Sequence, residues 1–251
     1  MNNRHKKSSS AYLMVGVLAW LTTSASLWAA DGPPEIGASS IRAEGPTLLY
    51  GDNLAGEVMQ WTYSEPARPP RAQADEFTRD EELFREIRAS LERVLAGKAQ
   101  PLPAPDEKAR WQKLESRDRY TCVANVGHGA HPRVIYLKNQ HGISKPYVLN
   151  RPEIWGMNPA KAMPGEAVTG WGVNLGMQYA LVDKAGKIVD VIQAFQGYNT
   201  HSGRYQRELA NLLVLPDKLS PGEYSLYNHN GLNDAGWSKA AALLVVERPK
   251  S

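Results

Sequence analysis

Gly51-Asp52-Asn53-Leu54 and Gly172-Val173-Asn174-Leu175 are one turn written twice. Each follows a matching head, Pro34-Glu35-Ile36 for the first and Pro152-Glu153-Ile154 for the second. The tails match as well: Asn139-Gln140-His141-Gly142-Ile143-Ser144-Lys145 in the first copy, Asn230-Gly231 followed by Ser238-Lys239 in the second. Shared head, turn and tail predict two structural units of one kind. The pattern decides the architecture and says little about chemistry.

The second unit, 151–248, reads as short strands between Gly, Pro and Asn turns. Ala167–Trp171 is extended and ends at Gly172. Tyr179–Val182 and Ile188–Phe195 flank the polar hairpin turn Asp183-Lys184-Ala185-Gly186-Lys187. Glu208–Pro216, Glu223–Asn228 and Ala241–Glu247 complete the set. Such a series predicts a β-sandwich or barrel of about 100 residues.

The first unit, 33–150, carries a helical insertion over about 72–116. Phe77, Phe84, Ile87, Leu91 and Val94 or Leu95 recur at helical spacing between Asp75 and Ala96. Thr78 and Glu81 suit a capping box, and Gly97 stands where the helix would stop. The stripe predicts a helix packed over a sheet edge or face, with a partner-binding helix as the rival reading. A stiff connector through Pro101, Pro103 and Pro105 follows, and Asp106–Glu115 reads as a second short helix. Strands are expected over Arg119–Val126, His131–Lys138 and Lys145–Leu149. The join Leu149-Asn150-Arg151-Pro152 has no flexible spacer, which predicts closely stacked units.

Residues 1–30 have the layout of a signal peptide. Arg4, Lys6 and Lys7 are followed by an apolar run of eleven residues, Ala11–Leu21, and then by small residues. That run is shorter than the roughly 20 residues a membrane span needs. The expected destination is therefore secretion or the periplasm and cell envelope, with no membrane span after cleavage. Removing the leader takes the basic count from 29 to 26, against 26 acidic residues. A chain without net charge has no global field to gather nucleic acid or anionic lipid. Cys122, the single cysteine, allows no internal disulfide, and Tyr120, Cys122, Ala124 and Val126 read as one buried strand face.

Catalytic signatures are weak. His128 and His131 have a chelating spacing, but glycines make their segment a loop and no Cys or carboxylate cluster adjoins. No Gly-x-Ser-x-Gly elbow occurs. Ser144 and Ser238 serve the repeated tail turn, and Asp52 has Val173 as its counterpart, so neither reads as chemistry. Neither a catalytic residue nor a metal or cofactor site is expected. Aromatic residues carry more weight. Alternation turns Val168 and Gly170 to one face and Trp171 to the other, outward, and Tyr50 holds the corresponding place in the first copy. Tyr198, His201 and Tyr205 share the polar loop Gly197–Arg207. Trp171, Tyr50, Tyr198, His201 and Tyr205 are the candidate ligand contacts, weighed against local packing. Trp237 follows a Gly-rich turn and reads equally as a ligand contact or as a plug for the end of the sandwich.

The second unit resembles the TIG (IPT) class of immunoglobulin-like domains through Pro152-x-Ile154, Asn158-Pro159, Pro164-Gly165-Glu166-x-Val168, Gly172-x-Asn174-Leu175 and Pro221-Gly222-x-Tyr224. The first is similar through Pro34-x-Ile36, Gly51-x-Asn53-Leu54 and Lys138-Asn139…Gly142-x-Ser144. The resemblance implies a mainly β protein of two tandem Ig-like sandwiches. The stretch Val134–Asn174 also resembles the modules that precede a pectate-lyase-like parallel β-helix in bacterial envelope proteins. No β-helix coils occur up to Ser251, so no catalytic residue of such proteins has a counterpart here. The expected role is a non-catalytic binding or scaffold protein of the envelope, with a polysaccharide or an envelope protein as partner and weak glycan binding among its tasks. The alternative is a shortened accessory region of a polysaccharide-degrading β-helix enzyme.

Overall fold

Both Gly-x-Asn-Leu turns begin where two strands touch. A β-carbon on Gly51 would lie 1.7 Å from the carbonyl oxygen of Glu35, and one on Gly172 would lie 1.8 Å from that of Glu153. Only glycine permits that approach. Asn53 and Asn174 then take left-handed backbone, φ 57° and 52°, which asparagine tolerates better than most residues. The computed structural model describes residues 30–40, 43, 45–64, 81–127, 132–194 and 210–248.

In chain order the elements are β1 (Glu35–Ser39), β2 (Pro46–Asp52), β3 (Met59–Ser64), α1 (Glu81–Leu95), β4 (Gln112–Lys113), β5 (Glu115–Ser116), β6 (Thr121–Asn125), β7 (Arg133–Asn139), β8 (Gly142–Ile143) and β9 (Tyr147–Leu149). They continue with β10 (Glu153–Asn158), β11 (Lys161–Ala162), β12 (Ala167–Val173), β13 (Gln178–Val182), β14 (Ile188–Gln193), β15 (Ala210–Val214), β16 (Gly222–His229) and β17 (Trp237–Val246), with a 3-10 turn over Asn233–Gly236. Among the described residues four sheets result: β1-β2-β6-β5, β4-β3-β7-β8 with β9 on β7, β10-β12-β15, and β11-β17-β16-β13-β14.

The pairing of β1-β2-β6 recurs residue for residue in β10-β12-β15. Glu35 faces Asp52 as Glu153 faces Val173, and Ile36 faces Gly51 as Ile154 faces Gly172. Each first strand then bulges by one residue, Gly37 or Trp155, before Ala38 meets Tyr50 or Gly156 meets Trp171. On the other side Tyr50 pairs with Thr121 as Trp171 pairs with Ala210. One side-chain clamp is also shared. The Asn139 amide donates to the carbonyls of Gly32 and Asn53 at 2.8 and 3.3 Å, and that of Asn230 to Asn150 and Asn174, both at 2.8 Å. The asparagines of the tail motif thus tie the head to the turn.

The sheets pack in pairs, each pair around its own apolar cluster, which makes the protein a mainly β, sandwich-type fold. Leu49, Cys122 and Ala124 meet Ile135, Leu137 and Leu149 in one cluster. Ile154, Val168 and Leu213 meet Tyr179, Leu181, Leu226 and Leu244 in the other. Leu49 faces Cys122 where the later sheet has Gly170 facing Asn211. Tyr179 fills the space that Gly170 leaves, and its hydroxyl accepts a hydrogen bond from Asn211 Nδ2 at 3.0 Å.

Helix α1 lies between β3 and β4 in sequence but covers the outer face of the β13-β14-β16-β17 sheet. Phe84, Ile87 and Leu91 pack on Ala180, Val182, Ile188, Val191 and Trp237. Strand β13 is therefore buried on both faces, with Tyr179 and Leu181 turned to the sandwich and Ala180 and Val182 to the helix. Each large apolar side chain so buried contributes about 2 kcal/mol. At the C-terminal end of α1, Asp234, with 1 % of its side chain exposed, receives Arg93 Nε at 2.8 Å, an Arg93 terminal nitrogen at 2.6 Å, Ser90 Oγ at 2.8 Å and the Gln100 amide at 2.9 Å. The Trp237 indole donates to Ser90 Oγ at 3.0 Å. The helix stops at Gly97, φ 67°, as its position in the sequence predicts.

Several expectations need correction. The apolar stripe of α1 packs on a sheet face as its spacing predicts, so the rival reading of a partner-binding face falls away. Asp106–Glu115 is not helical. The segment forms the short strands β4 and β5 because Leu114 is drawn into the core between them. Trp237 plugs no sandwich end; it opens β17 and lies beneath α1. Tyr120 is exposed and not on the buried face with Cys122, because Asp118–Tyr120 bend before β6 begins. The leader, Thr78 of the capping box, His128 and His131 lie outside the described residues.

Candidate functional site

The alternation Val168-Thr169-Gly170-Trp171 places Trp171 on the solvent face of β10-β12-β15, with 45 % of the residue exposed. The bulge in β10 brings Trp155 to the same face, 47 % exposed. The two indoles meet edge to face, with centroids 5.9 Å apart and planes at 80°. That is a favoured aromatic geometry. Trp155 Nε1 donates to a Glu153 carboxylate oxygen at 3.3 Å, which steadies the first ring. Trp171 rests against Gly156, where a β-carbon would sit 2.7–2.9 Å from three indole atoms. Leu212 and Val214 of β15, both exposed, pair with Thr169 and Ala167 of β12 and extend the apolar character of the strip.

Tyr50 occupies the register of Trp171 on β2 and is 43 % exposed. Its bulge residue is Gly37, which offers no ring where the later copy has Trp155. Tyr50 and Trp171 belong to different sheets and do not form one site. Tyr198, His201 and Tyr205 lie outside the described residues. Trp155 is the residue that reading the sequence passed over. Its signal was the alternation after the Pro-Glu-Ile head, with Ile154 inward and the next residue outward.

The other aromatic cluster is packed. Trp61 and Tyr136 lie 5.8 Å apart, Trp61 and Tyr63 6.4 Å apart, and Lys138 Nζ sits 5.6 Å from the Trp111 centroid. Leu102 of the proline-rich connector and Leu232 and Ala235 of the later segment pack on the same group.

The ionisable groups with perturbed protonation are held in structural roles. Burial pushes the Cys122 thiol up to about 12, so it is no nucleophile near neutral pH. The hydrogen bonds from Arg93 bring the Asp234 carboxyl down to about 2 against the opposing effect of burial. Asp52 is lowered chiefly by the hydrogen bond from Arg119, whose Nε lies 2.7 Å away, and it also accepts the Asn53 amide at 2.7 Å. Ser144 Oγ accepts the Leu137 amide at 2.9 Å and donates to the Lys145 carbonyl at 2.8 Å, a turn-holding role. Among the described residues no group of three or more His, Cys, Asp or Glu could hold a metal ion. No helix among them is long and apolar enough to cross a membrane.

No protein-family model matches the chain, and neither does any curated protein. Several solved structures are similar at low TM-score. A crystal structure with a xylogluco-oligosaccharide gives TM-score 0.33 at 11 % identity over 85 % of this chain and 40 % of that one. The Bacteroides ovatus SGBP-B of a mixed-linkage glucan utilization locus, in complex with a mixed-linkage heptasaccharide, gives 0.28 at 12 % identity, covering 53 % of this chain and 35 % of that one. SGBP-B from a complex xyloglucan utilization locus in Bacteroides uniformis gives 0.26 at 11 % identity, covering 84 % and 49 %. The chain thus spans less than half the length of each of these proteins.

Proposed function

We propose that this is a non-catalytic carbohydrate-binding protein of the cell envelope, built from two copies of one Ig-like unit, with its principal contact at the Trp155–Trp171 pair. The observation that carries the reading is that pair. Two large indoles stand nearly half exposed on a sheet face, in contact with each other and braced by Glu153 and Gly156. An exposed tryptophan costs solubility unless something covers it, and the apolar C–H face of a pyranose is suited to an indole. The shared register of β1-β2-β6 and β10-β12-β15 supports the two-copy reading. The leader-like first thirty residues support export.

A glycan array probed with the full chain and with Trp171→Ala tests the reading. The unsubstituted protein is expected to bind, and the variant to bind about tenfold or more weakly, with an unchanged Tm and urea-unfolding midpoint. A blank array from folded protein rejects it.

A further inference from the structure

The strands that carry the tryptophan pair are nearly free of charge. Among the described residues of β10, β12 and β15 the one ionisable side chain is Glu153, and none is basic. Register sets Ala210 opposite Trp171, and alternation carries Thr169, Leu212 and Val214 further along the same face, all uncharged. Glu153 is itself drawn towards the pair by the Trp155 indole N–H. A polyuronate chain laid over this face would bring carboxylates up to Glu153 with no cation from these strands to offset them. Like charges juxtaposed in a partly desolvated contact are strongly disfavoured. A neutral sugar meets no such penalty, and its hydroxyls can donate to the Glu153 carboxylate.

The angle between the rings adds a second, independent constraint. Planes at 80° share no common flat surface, so the two indoles cannot both lie on the face of a crystalline polymer. A single chain can place one sugar flat on one indole and pass the edge of the other.

We infer that the β10-β12-β15 face binds single chains of an uncharged polysaccharide, and excludes both polyuronates and crystalline surfaces; the inference rests on the carbohydrate-binding reading above. It narrows the ligand class by the charge of the sheet and by the geometry of the pair.

The test is affinity electrophoresis of the full chain in gels containing soluble neutral chains (hydroxyethyl cellulose, galactomannan, xylan) or polygalacturonate, with a microcrystalline cellulose pull-down alongside. Retardation is expected in at least one neutral gel, undiminished at high salt and weakened about tenfold or more in both Trp155→Ala and Trp171→Ala. Polygalacturonate and crystalline cellulose are expected to leave the protein unbound. Salt-sensitive retardation by polygalacturonate, or pelleting with cellulose that either substitution abolishes, overturns the inference while leaving carbohydrate binding in place. Failure to bind any of these polymers, joined to a blank glycan array, sinks the carbohydrate reading itself.

Discussion

Trp171 lies against Gly156 across the β10–β12 pair, so close that a β-carbon on Gly156 would come within 2.7 Å of the indole nitrogen. The first copy has Ala38 and Tyr50 in these places. Removing one methyl group from the facing position is what lets the larger ring settle onto the strand.

Gly156→Ala should therefore dislodge the indole at little cost to the fold, since the atoms it meets end an exposed, rotatable side chain. The expected loss of stability is about 1 kcal/mol or less, with a changed near-UV circular dichroism signal and weaker glycan binding. Gly172→Ala meets the backbone carbonyl of Glu153 instead, and a backbone cannot swing aside. Urea unfolding should show a loss of about 3 kcal/mol or more for that variant.

Asn139→Ala and Asn230→Ala remove the same clamp from two places. Each withdraws an amide that serves two backbone carbonyls. Each substitution should cost about 2 kcal/mol in urea unfolding. Similar losses would mark the two clamps as equivalent; a loss at one position only would show that the shared geometry does not carry shared energetics.

Asp234 should make the protein acid-sensitive. Its folded-state carboxyl, held at about 2 by Arg93, lies below the value of about 4 in an unfolded chain. The unfolded state therefore binds the proton first. The stabilisation, about 2 kcal/mol, is complete above pH ~4 and is lost as the pH falls through about 2. Asp234→Asn should flatten that part of a stability–pH curve. Asp234→Ala should cost about 3 kcal/mol at neutral pH and open α1 to limited proteolysis.

Cys122 should be silent to thiol reagents in the native protein. It is fully buried between Leu49 and the facing sheet, and its thiol is raised to about 12. Ellman's reagent at pH 8 should label it only after denaturation. Native labelling at the rate of a free thiol would show that β6 opens.

Much of the fold was legible because its signals are local. Pro-Glu-Ile, Gly-x-Asn-Leu and the tail asparagine each mark a backbone geometry that few residues tolerate, and they recur in order. The helix was legible from the spacing of Phe84, Ile87 and Leu91, and its end from Gly97. The short strands β4 and β5 were not, because Trp111 and Leu114 three residues apart suit a helix as well as an irregular edge, and only the neighbouring sheet chooses between them. At the candidate site, the outward turn of Trp171 followed from period-two alternation, and so did the place of Tyr50. The partnership with Trp155 did not. A bulge adds one residue to one strand of a pair, and nothing in the strand's own composition announces it.

Local backbone preference and the period of apolar residues determine which segments become strands, where they turn, and that the turn is built twice. Both are properties of a few consecutive residues, so they survive without knowledge of the rest of the chain. Which surfaces meet was decided by the folded molecule alone. Helix α1 covers a sheet assembled from residues about a hundred or more positions later, Ser90 and Arg93 find Asp234, and a one-residue bulge sets Trp155 against Trp171. Those contacts join groups far apart in sequence, and their energies exist only once packing has brought the groups together.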